Sequence, residues 1–279
     1  MTDHRLPELG KVFEQLHSLY EAGGMRIMGG FSPYVSEGNA ARSTFVASGK
    51  TVLSTSGGIA VDEMTFAYGL CERIKPGRIL VIGNSYGIST LFFAAVNPEA
   101  TLVAIDKFRT TGLRVTNELL ESHRSGGAAA IAIQASTPED LVQVVTEHLG
   151  GSVDLVFVDA VHENEVQSAE FRVLESLLSP QGVIMFHDVI SCALSPSIRQ
   201  LRSEFAEFSF VVCPRTTTGV AVGFPKTNRL LNSFLGFWAS SGRDVADFGE
   251  LMRLKWGVEP AEYFDDAATA LSFPPHPQL

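Results

Sequence analysis

The stretch ILVIGNSYGISTLFFA, Ile79–Ala94, decides the fold of this chain. An apolar run comes first, a short polar patch between two glycines follows, and a second apolar run ends the stretch. The first run has the length of a buried strand, and the second has the pattern of a helix. A glycine at the end of a strand permits a tight turn before the next helix. The stretch therefore predicts a strand, a loop at 83–87 and a helix.

The same alternation continues along the chain. The apolar runs and helical patterns predict strands at 79–83, 101–106, 128–134, 153–159 and 183–187, with helices at 88–96, 114–123, 138–148, 166–178 and 197–205. Such alternation indicates βαβ units and a parallel sheet covered on both faces. Two further strands, 208–213 and 220–224, have only PRTTTG between them, which is too short for a crossover helix. They must form an antiparallel hairpin, so we expect a doubly wound, mostly parallel α/β sheet that ends in a hairpin.

Composition divides the chain into three zones. Residues 1–61 form an N-terminal cap that begins with a helical pattern and becomes glycine-rich, and residues 62–225 form the core. Residues 226–279 form a C-terminal extension with helical patterns, one of them VADFGELMRLKW, and a proline-rich tail that we expect to be frayed.

The charge balance excludes several classes of partner. The formal net charge is -10, which argues against nucleic acid or an anionic membrane surface, because both need a basic patch. We see no signal peptide and no apolar stretch of about 20 residues that could span a bilayer. The three cysteines, Cys71, Cys192 and Cys213, lack metal-ligand spacing. We therefore expect a reduced, cytoplasmic protein.

The candidate site follows from the topology, because ligands of such sheets bind beyond the carboxyl ends of the strands. Asp106 ends the second strand, nineteen residues after Gly87, where an acid typically accepts hydrogen bonds from ribose hydroxyls. A helix cap or a solvated loop acid is the alternative for Asp106. The loop is Gly-x-x-x-Gly, with Ser85 where dinucleotide-binding loops have a further glycine. A side chain there hinders close contact with a pyrophosphate, which disfavours NAD.

These features together resemble the Rossmann-like (class I) S-adenosylmethionine-dependent methyltransferases, over about Asp62 to Phe224. The similarity is to the small-molecule O-methyltransferase branch and includes FVDAVHENEV…LLSPQGVIMFHDV. The resemblance implies a seven-stranded sheet, S-adenosylmethionine as cofactor and methyl transfer to a hydroxyl of a small-molecule acceptor. The cofactor contacts that it predicts are Gly83, Asn84, Ser85, Gly87, Ser89, Asp106, Lys107, Gln134, Ala135, Ser136 and Asp159. We also expect a homo-oligomer, with the terminal zones closing over the site or forming the subunit contact.

One residue departs from the family pattern. The family usually has an acid two residues before the first glycine, where it helps to fix the ammonium group of the cofactor, and here that residue is Val81. Asn84, Ser85 or a residue of the N-terminal zone such as Glu63 could compensate. The departure leaves a non-catalytic module of the same fold, which binds a nucleoside ligand or a partner protein, as an alternative. A nicotinamide-dependent oxidoreductase is disfavoured by the glycine spacing and the hairpin.

The reacting centre is expected where strands 153–159 and 183–187 end side by side. Asp159, His162, His187 and Asp188 should converge there. A histidine can act as a general base, and a bound divalent cation can acidify a hydroxyl. We therefore name His162, His187 and Asp159 as candidate catalytic residues. The resemblance aligns Asp159, His187 and Asp188 with a metal-ligand set for Mg²⁺, Mn²⁺ or iron. A histidine in that set suits manganese, iron or zinc better than Mg²⁺. The alternative is that no metal binds.

Overall fold

The computed structural model describes residues 6–29, 42–54, 57–108, 111–123, 128–239, 250–251 and 254. The helices, in chain order, are α1 (Leu9–Ala22), α2 (Val61–Ile74), α3 (Ile88–Val96), α4 (Thr111–His123), α5 (Leu141–Leu149), α6 (Asn164–Leu174), α7 (Ser195–Glu204) and α8 (Asn232–Trp238). The strands are β1 (Arg26–Gly29), β2 (Thr44–Ser48), β3 (Thr51–Val52), β4 (Arg78–Ile82), β5 (Thr101–Asp106), β6 (Ala130–Gln134), β7 (Val153–Val158), β8 (Leu178–Phe186), β9 (Phe208–Cys213) and β10 (Val220–Pro225).

Seven strands form the central sheet, in the order β6-β5-β4-β7-β8-β10-β9. The first five strands of this order are parallel, and β10 is antiparallel to both β8 and β9. The predicted doubly wound sheet with its terminal hairpin is confirmed. Because the strand order reverses direction at β4, the carboxyl ends of β4 and its neighbours border the crevice where such sheets bind ligands.

Strand β4 is the centre of the core, and its residues from Ile79 to Ile82 are almost completely buried. Continuous apolar burial is expected for a strand covered by helices on both faces. The N-terminal helix joins the same core, because Val12, Leu16 and Tyr20 pack into the cluster that contains Ile79 and Val81. The hydroxyl of Tyr20 donates a hydrogen bond to the carbonyl oxygen of Tyr86 at 2.7 Å, which ties α1 to the loop after β4.

The N-terminal zone also contains an element that the sequence pattern did not predict. Strands β1, β2 and β3 form a separate three-stranded antiparallel sheet. Its strands have only two to five residues, so none shows enough alternation to stand out from a glycine-rich stretch.

Strand β8 begins at Leu178, earlier than the predicted 183, because SPQG continues the strand through an irregular register next to Val153.

The C-terminal zone begins with the predicted helical pattern, as α8. The second predicted helix, at 245–256, and the proline-rich tail lie outside the described residues, apart from 250–251 and 254. Within the described ranges, no helix has both the length and the apolar character that a membrane crossing requires.

Helix α6 carries a buried acid, Glu170. The side chain of Glu170 is fully buried, and one of its oxygens accepts a hydrogen bond from the hydroxyl of Thr137. Its other oxygen has no hydrogen-bond partner among the described residues. Burial raises the pKa of Glu170 from 4.5 to about 7, although the Thr137 hydroxyl acts in the opposite direction.

Glu170 should therefore make stability depend on pH. The folded chain holds the Glu170 proton up to about pH 7 and the unfolded chain loses it near 4.5, so stability falls as pH rises through this window. Glu170→Gln removes that titration. Its stability relative to the wild type should increase by about 2–3 kcal/mol between pH 5 and pH 8, measured by urea unfolding. Glu165→Gln, on the exposed face of the same helix, is the control. A pH-independent difference between Glu170→Gln and the wild type would contradict this expectation.

Candidate active site

The site begins where the parallel hydrogen-bond ladder continues one residue past the strand ends. Three backbone N–H groups donate to neighbouring strands: Gly83 to Ile105 at 2.9 Å, Asp159 to Ile82 at 2.8 Å and His187 to Val158 at 2.9 Å. These bonds fix the first residue after β4, β7 and β8 at one edge of the sheet. The predicted convergence of residues from these strands at this edge follows from this register.

The glycines of the loop are required by close protein contacts. Gly83 has a φ of +96°, and a Cβ there would lie 1.9 Å from the carbonyl oxygen of Asp159. Gly87 has a φ of +84°, and a Cβ there would lie 2.4 Å from Oγ1 of Thr116. Both positions need glycine for conformation and for space. Ser85 also has a left-handed backbone, with a φ of +45°. The two glycines therefore allow the loop to lie directly against the end of β7 and against α4.

The side chain of Asn84 is directed into the protein. It is 2% exposed, its Oδ1 accepts a bond from the Thr90 hydroxyl at 2.8 Å, and its Nδ2 donates to Oγ1 of Thr116 at 2.9 Å. These bonds fasten the loop to α3 and α4. A ligand in the crevice would therefore meet the backbone of Asn84 and the exposed side chain of Ser85.

Asp106 supports the same loop from β5. Its Oδ2 accepts hydrogen bonds from the backbone N–H groups of Asn84 at 3.3 Å and Ser85 at 3.1 Å, and its Oδ1 accepts one from Phe108 at 3.1 Å. An ionised carboxylate has about four acceptor sites, so these three bonds leave capacity for a further donor. Asp106 thus shapes the loop and still faces the crevice.

The crevice is a cleft with a volume of about 420 Å³, within the range that is typical of small-molecule sites. Of the predicted cofactor residues, eight line it: Gly83, Asn84, Ser85, Ser89, Asp106, Lys107, Ala135 and Asp159. The other three, Gly87, Gln134 and Ser136, are described but are not among its lining residues. The amide of Gln134 instead donates to the carbonyl oxygen of Lys107 at 3.2 Å. Thr44 and Val46 of β2, and Ser54 just after β3, also line the cleft.

A cluster of carboxylates and imidazoles lies at the end of the cleft, as predicted. His162 lines the cleft, and its Nε2 lies 3.0 Å from Oδ2 of Asp188 and 3.6 Å from Oδ1 of Asp159. His187 Nδ1 lies 3.2 Å from Oδ1 of Asp159 and 3.1 Å from Oδ2 of Asp188. His187 is only 2% exposed. His162 is therefore the imidazole that a bound molecule can touch.

Glu63 is a third carboxylate that contacts this cluster, at the other nitrogen of His187. Its Oε2 lies 2.7 Å from Nε2 of His187 and accepts the N–H of Ala60 at 2.8 Å. Its Oε1 accepts the N–H of Thr218 at 2.9 Å, and the Thr218 hydroxyl as well. Glu63 has no exposed surface. Both of its oxygens are occupied inside the protein, so Glu63 does not replace the acid that is missing at Val81.

The charges in the cluster shift each other's ionisation. Hydrogen bonds to Asp159 and Asp188 raise the pKa of His162 to about 9. Burial acts to raise the pKa of Asp188, but His162 and His187 outweigh it and hold that pKa well below its ordinary value. Burial acts to lower the pKa of His187, but the charges of Asp159 and Glu63 outweigh it and raise that pKa. The cluster therefore attracts positive charge.

The geometry of the cluster fits a divalent cation. His187 Nδ1 is buried and has hydrogen-bond geometry toward no described residue, although two carboxylate oxygens lie close to it. Two neighbouring ligand atoms about 2.1 Å from an octahedral ion lie about 3 Å apart, as Nδ1 does from each oxygen. The ligand atoms of Asp159, His187 and Asp188 all lie within 4.8 Å of one another. A second set, His162, Asp188 and Cys192, meets the same distance and shares Asp188.

Sequence reasoning missed two functional features of this site. It did not find the role of Glu63 and Thr218, which lie far from His187 in the chain. A glutamate in the first turn of α2 is a signal for helix capping, and the hydrogen bond from Ala60 to Glu63 agrees with that signal. The signal gives no information about the contact between Glu63 and His187. Sequence reasoning also missed the cleft wall from β2, because the small sheet carries no pattern that points to a ligand.

Comparisons with known proteins cover the segment that carries most of these residues. Residues 80–189 match the family model described as a methyltransferase domain. An uncharacterised protein of Synechococcus sp. is 28% identical over 194 residues, which cover 67% of this chain. This chain spans 44% of the length of that curated relative.

Two solved structures share the fold. The O-methyltransferase from Bacillus cereus in complex with SAH has a TM-score of 0.52 at 15% identity, with 81% of this chain and 94% of that chain covered. Cofactor-bound Rv0187 from MTB has a TM-score of 0.50 at 21% identity, with 60% and 81% covered. Residues 80–189 thus match a methyltransferase domain, and the chain shares the fold of these two structures.

Proposed function

We propose that this protein transfers the methyl group of S-adenosylmethionine to a hydroxyl of a small-molecule acceptor. The observation that carries the proposal is that one cleft joins the Gly83–Gly87 loop and Asp106 to Asp159 and His162. The loop and Asp106 are suited to a nucleoside-containing cofactor, and Asp159 and His162 are suited to a substrate hydroxyl that must lose a proton. A binding module without turnover has no need of Asp159 and His162 in the cleft.

The cofactor is proposed to lie along the ends of β4, β5 and β6. Asp106 accepts the ribose hydroxyls with its remaining lone pairs, and Ala135 lies beside the adenine. The amino acid part lies over Ser85 and the start of α3, where unpaired N–H groups favour its carboxylate. The usual acid for its ammonium group is replaced here by Val81, which is buried in the core. Asp159, whose backbone touches Gly83, is the cleft carboxylate that replaces it.

The acceptor is proposed to occupy the remaining cleft between His162 and the small sheet. Thr44, Val46 and Ser54 line that part of the cleft. The Thr44 hydroxyl already donates to the carbonyl oxygen of Ile59, and the Ser54 hydroxyl accepts the N–H of Val46, so these residues shape the wall. Methyl transfer requires the acceptor oxygen in line with the sulfonium methyl group, so the chain acts chiefly by positioning both partners. Self-association of the chain, and the absence of nucleic acid and membrane partners, stay predictions.

Deprotonation of the acceptor is proposed to depend on a divalent cation. Asp159, His187 and Asp188 are the residues that would hold it. When bound, the cation acidifies the acceptor hydroxyl as a Lewis acid. An imidazole nitrogen among the ligands favours Mn²⁺, Fe²⁺ or Zn²⁺ over Mg²⁺. His162 lies at the cleft side of the same carboxylates, where it can hydrogen-bond the acceptor oxygen.

The cofactor proposal predicts selective nucleoside binding. Calorimetry should detect saturable binding of S-adenosylhomocysteine and none of NAD. Asp106→Asn should weaken that binding at least tenfold, about 1.4 kcal/mol, because it removes the charge that orders the loop and accepts the ribose. Asp154→Asn is the control, since Asp154 also accepts backbone N–H groups, from Gly77 and Arg78, but at the opposite end of β4. Binding of NAD alone would overturn the proposal.

The cation proposal predicts that metal-free protein binds Mn²⁺, measured by calorimetry, and binds Mg²⁺ more weakly. Asp188→Asn should reduce Mn²⁺ affinity at least tenfold. With methyl-labelled S-adenosylmethionine and a panel of small phenols and alcohols, label transfer should require Mn²⁺ and stop in excess chelator. Full transfer in chelator would remove the cation from the reaction and leave a histidine base.

A further inference from the structure

Glu63 is a completely buried charged group beside the site, and it does not line the cleft. Four donors meet its two oxygens: the N–H groups of Ala60 and Thr218, the Thr218 hydroxyl and the His187 ring. An ionised carboxylate only accepts hydrogen bonds, and these four contacts use its whole capacity. The His187 nitrogen that faces it must therefore carry a hydrogen.

This contact fixes which nitrogen of His187 faces the carboxylates of the site. Because Nε2 donates to Glu63, Nδ1 is the nitrogen that remains for Asp159 and Asp188. An Nδ1 proton has no aligned acceptor there among the described residues, since neither oxygen meets hydrogen-bond geometry. A cation has no such angular requirement and can contact the nitrogen and both oxygens together.

Through Thr218, Glu63 also holds Asp188, the residue that follows His187 in the chain. The Thr218 hydroxyl donates to Glu63 and accepts the backbone N–H of Asp188 at 3.3 Å. Asp188 has a left-handed backbone, with a φ of +55°, which a non-glycine residue adopts only with support from its surroundings. Glu63 is therefore connected to both of the adjacent residues His187 and Asp188, through the ring and through Thr218.

We propose that Glu63 is a positioning residue for a divalent-cation site, which holds His187 with hydrogen on Nε2 so that Nδ1 binds the cation together with Asp159 and Asp188. The inference rests on the cation site of the proposed function. A carboxylate behind a metal-binding histidine commonly sets its tautomer and orientation. Glu63 would also secure the preference for Mn²⁺, Fe²⁺ or Zn²⁺, because that preference depends on a correctly presented imidazole.

The test compares Glu63→Gln with Asp62→Asn in the full chain. In the wild type, hydrogen-bond donors face both oxygens of Glu63. The amide of Glu63→Gln has only one acceptor oxygen, so its NH₂ group must face the donor of either His187 or Thr218. Asp62 is the adjacent acid of the same helix turn and accepts the Thr217 hydroxyl at 2.8 Å, so its substitution removes one negative charge without touching His187. Calorimetry should give a 10–100-fold loss of Mn²⁺ affinity for Glu63→Gln and less than a threefold change for Asp62→Asn.

Binding of S-adenosylhomocysteine separates this inference from the proposed function. Glu63→Gln should bind it like the wild type, because Glu63 does not line the cleft. If the wild type binds Mn²⁺ and Glu63→Gln binds it equally well, the role of Glu63 is overturned and the cation site stands. If the wild type binds none of Mn²⁺, Fe²⁺ and Zn²⁺, the cation site and the role of Glu63 are both overturned.

A measurement on the wild type decides the matter if Glu63→Gln does not fold. In the Zn²⁺-loaded protein, long-range ¹H–¹⁵N spectra of the histidine rings should show His187 with hydrogen on Nε2 and the metal on Nδ1. Metal on Nε2, or a His187 ring that Zn²⁺ does not affect, overturns the inference. The same spectra from Asp62→Asn should match the wild type.

Discussion

Backbone hydrogen bonds that continue one residue beyond the central strands hold Gly83, Asp159 and His187 at one level of the sheet. This register leaves no room for a side chain at Gly83, which lies against the backbone of Asp159. It also brings residues that are remote in sequence to one edge, where Asp106 shapes the loop and His162 closes the cleft. The chemistry of the site thus depends first on parallel pairing and only then on side-chain identity.

The fold and the convergence of the site could be predicted from the sequence because they follow from periodicity and topology. Continuous apolar runs marked the central strands, and the short link between 213 and 220 required a hairpin. The direction of a side chain is set by packing that no local pattern reports. For that reason the sequence did not reveal that the Asn84 side chain joins α3 to α4. It also did not reveal that Glu63, one of several residues that could have compensated for Val81, pairs with His187.

The cluster around His187 brings charges into the interior at considerable cost. Removing a carboxylate from water costs several kcal/mol unless partners satisfy it. Glu63 is satisfied on every side, and Asp188 is paired with His162. Hydrophobic residues of similar volume would fill the same space at no such cost, so a purely structural role does not account for three acids around one ring. The arrangement is consistent with the proposed role in binding a cation.

Thr218 lies in the link between β9 and β10, and β10 inserts between β8 and β9 in the sheet. Glu63 therefore acquires its complete set of hydrogen-bond donors only when the last part of the sheet has docked beside β8. A chain that has formed its first five central strands already has the loop, Asp106 and Asp159, but it lacks the two donors that Thr218 provides to Glu63. The proposed cation site would therefore depend on completion of the fold, and a partly folded chain would have the cleft without the contacts that hold His187 and Asp188.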